Sequence, residues 1–323
     1  MNPPFLLRLM ERLPGPRLLW AALITLVPVA AAFLPTSYIA TVGEASLGRR
    51  ILAGAVFGYA VALSLFAVAY FDARVRDVRG SQSELTPDHA GRDLFAGYSS
   101  AIGPLLLAAA FVVATVARTV VQTDLGTGLA WLPVSVVTNI PLMSAFWIYL
   151  VVLLGLRRLS RLPLSLETFP EDPSLGLAPV GRLAYTAFWI FVAASVPILV
   201  VNAGYTARLV LTFGVFVVGL VIFFASVWGL HRQLLDARQE QIVRARSLYA
   251  RTYEAMRWDS PDSLSHQASG LLAAKAIEEE AQSIQKWPFD DRRFKEIAAI
   301  VVTVVTFSGT GIITRLIYEK VIL

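Results

Sequence analysis

Thr303, Thr306, Thr310 and Thr314 are separated by three, four and four residues near the end of the chain. That spacing sets four hydroxyls on one face of a helix. The rest of the stretch, FKEIAAIVVTVVTFSGTGIITRLIYEK, is dominated by Ile and Val, with Ser308, Gly309 and Gly311 inside it. A hydroxyl stripe within an apolar helix suits an aqueous pore, where uncharged oxygens solvate a moving ion without trapping it. One helix cannot enclose a pore, so several copies must each contribute it around a symmetry axis. The same spacing also suits packing. Thr can bond its own preceding turn, and small residues let helices approach closely.

No other group of residues carries catalytic chemistry. The chain has no cysteine, which excludes disulfides, thiolate metal sites and cysteine nucleophiles. The histidines are His89, His231 and His266, none within an apolar block or at metal-ligand spacing from an acid. There is no GxSxG, Walker loop or HExxH. The expectation is a protein that is not an enzyme and uses no cofactor or metal. Asp172-Pro173-Ser174-Leu175-Gly176-Leu177 reads as a connecting turn. Asn139 and Asn202 suit hydrogen bonds between helices, and Arg118 suits snorkelling to an interface. The apolar blocks hold no acid or His near their centres, unlike most proton-driven carriers.

The elements that must position the threonines follow from composition. Hydrophobic residues make up 56% of 323 and charged residues 16%, with mean hydropathy +0.62. Both departures from a soluble composition point to lipid. Apolar blocks lie near 18–39, 51–71, 99–121, 132–156, 184–202, 209–230 and 296–318, each close to the roughly 20 residues that span a bilayer. Backbone groups cannot stay unpaired in lipid, so the blocks are expected to be helices, with Pro28, Pro104, Pro133, Pro141 and Pro197 as kinks. The fold class is therefore all-α and polytopic, with about seven transmembrane helices. The first block follows Arg8, Arg12 and Arg17 and contains prolines, unlike a cleaved signal.

Orientation follows from Lys and Arg. With the N-terminus inside, all of the 28 Lys and Arg except Arg49, Arg50, Arg118, Arg208, Arg315 and Lys320 fall in inner segments. The net charge of +5 is thus a topology signal rather than a nucleic-acid footprint. The division expected is 1–230 as a six-helix membrane region, 231–293 as a cytoplasmic helical segment and 294–323 as the last span.

The sixth span continues without Gly or Pro through 231–258, so one helix is expected to leave the membrane. Leu235, Ile242, Tyr249 and Met256 repeat every seven residues, a coiled-coil-like seam for contact with another helix or subunit. Ser260-Pro261-Asp262 reads as a helix start, with the helix running to about 287 and ended by Pro288. The first helix is basic and the second acidic, which favours a hairpin or pairing between subunits. Trp287 suits the headgroup level.

In layout the chain resembles the seven-transmembrane ion channel superfamily of insect odorant and gustatory receptors. The likeness rests on the long sixth helix to about 258, the second helix to Trp287, and a final span carrying Thr303, Thr306, Thr310 and Thr314. It implies a cytoplasmic N-terminus, a homo-tetramer, a cation pore lined by the last helix, and a small-molecule ligand as partner. Two short stretches, DPSLGLAPVG and IQKWPFD, resemble bacterial integral membrane proteins and imply a multi-pass protein of a bacterial inner membrane. Two other functions fit the sequence. One is a secondary transporter with discontinuous helices near Pro104, Asn139 and Pro141. The other is a scaffold or sensor acting through 231–293.

Overall fold

The computed structural model describes residues 3–31, 47–89, 93–122, 125–164, 174–202, 206–254 and 261–322. Among them are ten α-helices and no strand. These are α1 (Phe5–Arg12), α2 (Arg17–Ala31), α3 (Leu47–Leu85), α4 (Ile102–Gln122), α5 (Leu125–Ala130), α6 (Leu132–Leu159), α7 (Ala178–Asn202), α8 (Thr206–Glu254), α9 (Pro261–Ser283) and α10 (Asp291–Ile322).

Six of them are long and apolar enough to cross a membrane: α3, α4, α6, α7, α8 and α10. The count becomes seven if α1 and α2, bent by 110° at their junction, form one span. Six of the seven expected spans correspond to these long helices. The bend falls at Gly15, whose φ of +95° a residue with a side chain rarely adopts. Of the first apolar block, 18–39, residues 32–39 lie outside the described residues.

The long helices bury a common core. Phe71 of α3, Val152 and Leu156 of α6, Phe188 of α7 and Phe223 of α8 are all fully buried. Phe188 and Phe223 meet with ring centroids 5.5 Å apart. Close approach depends on glycine where α8 crosses the end of α6. A Cβ on Gly229 would stand 2.5 Å from Ser160 Oγ. Gln233 Nε2 staples the same crossing, donating to the carbonyls of Ser160 (2.8 Å) and Leu162 (3.0 Å).

Several boundaries differ from those expected. α3 runs to Leu85 instead of ending near 71. Its charged extension is held by Arg76 paired with the buried Asp72, and by Arg79 paired with Asp93 at 2.6 Å. α9 ends at Ser283, short of 287, because the following residues leave the helix to dock. Ile284 and Phe289 are buried there, and Gly181 of α7 lies against the carbonyl of Pro288. α6 and α7 run unbroken through Pro141 and Pro197, and α4 begins only at Ile102, so Pro104 sits in its first turn. None of these helices is broken at these prolines.

Candidate functional site

α10 is the least covered long helix. Only 11% of its apolar stretch is buried, against 44% for α3 and α6. It touches α7 and α8 alone among the described elements. Contact is made by the fully buried Ile297, by Val301, Val304 and Ile312, and by Ser308 between them. Ser308 is 3% exposed, and a Cβ on Gly311 would stand 3.9 Å from Leu209 Cδ2 of α8. Thr303, Thr306, Thr310 and Thr314 are all exposed. The packed face and the threonine face are therefore different. Ile297, Val304 and Ser308 pack the helix within the protomer, and the threonines stay uncovered. Thr303 also bonds its own preceding turn, its Oγ1 donating to the Ala299 carbonyl at 2.8 Å.

The start of α10 is fixed by charge and aromatic contact. Tyr185 Oη donates to Glu296 Oε2 at 2.7 Å, and Arg292 pairs with Glu296 at 3.3 Å. Trp287 is stacked on Phe294 (4.9 Å between centroids) and on His231 (4.0 Å). His231 Nδ1–H donates to the Lys286 carbonyl at 2.5 Å. One aromatic group thereby joins α8, the return loop and α10.

The segment after the apolar part of α8 is an antiparallel hairpin of α8 and α9. Its inner seam is Leu234 and Ala245 against Ala274, Ala281 and Ile284, all buried. A Cβ on Gly270 would stand 3.0 Å from Thr252 Cγ2. Arg246 pairs with Glu278 at 3.0 Å, as opposite helix charges favour, and Arg238 Nη2 donates to the Gln282 carbonyl at 2.9 Å. The seven-residue seam faces elsewhere. Leu235 is 36% exposed, Tyr249 is 46% exposed and Ile242 is half-buried, so this second stripe is largely uncovered. Met256 lies outside the described residues.

Sequence reasoning missed a third feature. A cavity of about 300 Å³ lies between α2, α3, α4 and α6, at the end of the bundle away from the hairpin. Its walls include Phe57, Phe111, Trp131 and Met143, with Ser135, Thr138 and Asn139 as polar groups. Asn139 Nδ2 donates to the Ser135 carbonyl at 2.8 Å, a bond within α6 rather than between helices. Asn202 does bond across helices, to Thr212 Oγ1 at 3.0 Å. Among the described residues no group of His and acids could hold a metal.

The fold and these features define a multi-pass α-helical membrane protein. Comparison with protein-family models, curated proteins and solved structures finds no match.

Proposed function

We propose that this chain is a channel-like, homo-oligomeric membrane protein in which α10 lines a cation pore. Its N-terminus lies inside and its C-terminus outside, in a bacterial inner membrane, with four copies around the axis. The observation that carries this reading is the uncovered threonine face of a helix that packs on its own protomer through the opposite side, that of Ile297, Val304 and Ser308. Hydroxyls facing hydrocarbon gain nothing, whereas hydroxyls facing an axis solvate a passing ion. Val302, Val305, Phe307 and Ile313, exposed beside them, would meet lipid or the next copy. The outward stripe of Leu235, Ile242 and Tyr249 would join hairpins of neighbouring copies.

Cysteine scanning of 303–314 tests the pore, and the native chain supplies a cysteine-free background. Positions 303, 306, 310 and 314 are expected to react with a water-soluble thiol reagent while 308 stays protected. Uniform protection of the threonine face in a protein that conducts ions rejects the pore. A strict monomer in nanodiscs rejects it as well.

A second reading is favoured by the cavity at Asn139. An uncharged solute held there would make the protein a carrier instead of a channel. Loss of solute uptake in Asn139→Leu, with ion conductance absent in the parent, would select that reading.

A further inference from the structure

α1 is amphipathic and lies at 110° to α2, so it runs close to the membrane plane when α2 runs along the normal. Leu6 and Met10 anchor its inner face in the core. It sits at the end of the bundle that carries the α3–α4 connection, where Arg8 Nη2 donates to the Ser99 carbonyl at 2.5 Å. Between α1 and the start of α4 is a second cavity of about 210 Å³, lined by Phe5, Arg8, Leu9, Arg12 and Ala101. Two of its five walls are guanidinium groups, and no acid is among them. The nearest acid along α1, Glu11, is engaged by Arg17 at 2.9 Å. The Arg8 Nε–H is buried and has no hydrogen-bond partner. Ala101 precedes the first turn of α4, whose N-terminal end adds partial positive charge.

We infer that this cavity holds the phosphate of an anionic phospholipid headgroup. Arg8 and Arg12 would share the phosphate oxygens. Phe5 and Leu9 would cover the glycerol and upper acyl carbons, which a free phosphate does not have. The position suits a lipid source, because an interfacial helix meets headgroups directly and basic pockets at that depth select anionic ones. The site is independent of the pore reading, since neither α10 nor the oligomer contributes to it.

The test is native mass spectrometry of the full chain titrated with phosphatidylglycerol and, separately, with phosphatidylcholine. The parent is expected to retain phosphatidylglycerol preferentially. Arg12→Gln removes an exposed side chain and is expected to weaken phosphatidylglycerol binding about fivefold, leaving phosphatidylcholine unchanged. Arg8→Gln is expected to do more, but it also loses the Ser99 bond, so Arg12→Gln at unchanged melting temperature is the deciding variant. Phe5→Ala is expected to weaken the lipid further. Equal affinity of the parent for both lipids overturns the proposal, as does an unchanged phosphatidylglycerol affinity in Arg12→Gln. Displacement of phosphatidylglycerol by millimolar inorganic phosphate, with Phe5→Ala silent, overturns the lipid assignment in favour of a free anion.

Discussion

Gly181 lies so close to Pro288 that a Cβ at position 181 would overlap the Pro288 carbonyl. The contact joins the first turn of α7 to the loop by which the chain re-enters the bundle. Alanine favours helix over glycine by about 1 kcal/mol, but overpacking against backbone costs up to about 3 kcal/mol. Gly181→Ala is therefore expected to lower the melting temperature and to open the 284–290 loop to protease. An unchanged melting temperature would mean the contact is not formed.

His231 and Trp287 are stacked at 4.0 Å with their planes 15° apart. A double-mutant cycle with His231→Ala and Trp287→Ala is expected to show a coupling of about 1 kcal/mol. Additive losses would remove this pair from the joint that fixes the start of α10.

The hairpin has an apolar seam and an ionic rim, and the seam should dominate. Arg246 and Glu278 have side chains 67% and 30% exposed, so Glu278→Gln is expected to cost less than about 1 kcal/mol. Ala281 is fully buried, and Ala281→Leu is expected to cost ~1–3 kcal/mol. Hydrogen exchange across α9 distinguishes them: rapid exchange only in Ala281→Leu is the expected result.

The two faces of α10 should respond oppositely. Thr306→Val and Thr310→Val change exposed positions and are expected to leave stability within about 0.5 kcal/mol while reducing conductance. Ser308→Leu enlarges a buried residue and is expected to cost ~1–3 kcal/mol. Thermal melts together with bilayer recordings separate the two.

Asp72 is buried at the end of the apolar part of α3 and paired with Arg76. Removing one partner of a buried pair strands the other charge. The Arg76 side chain is 63% exposed, so water moderates the loss, and Arg76→Ala is expected to lower the denaturation midpoint. Asp72→Asn, which removes the charge and keeps the shape, is expected to cost less. The reverse order in denaturant melts would contradict the pairing.

Much of the architecture is legible in the sequence because lipid imposes long apolar runs. The span at 132–156 appears as α6, Leu132–Leu159, and the unbroken run after 209 appears as α8. The helix start at Pro261 is read correctly from its proline and flanking polar residues. Hydropathy stops at the first charges, however, and so loses the amphipathic end of α3 beyond Phe71. Tertiary docking is equally silent. The residues after Ser283 have helix-compatible character until Pro288, but Ile284 and Phe289 find burial by leaving the helix. The seven-residue period marks Leu235, Ile242 and Tyr249, whereas the hairpin closes through Leu234 and Ala245, one register aside. Alanine at a helix contact carries no apolar signature strong enough to stand out. The Asn139 cavity is formed by four helices, and no single stretch of chain encodes it.

The 49 residues of α8 extend for about 74 Å at helical rise, and the portion beyond His231 accounts for about 35 Å of it. Such a rod would act as a lever if it tilted about the point where Gly229 meets Ser160. A tilt of about 5° within the membrane would carry its far end sideways by about 3 Å. The stacked His231 and Trp287 beside the fulcrum would pass that swing to the root of α10. A force applied to the tip of the hairpin thus has a mechanical route to the threonine face without any ligand entering the bilayer.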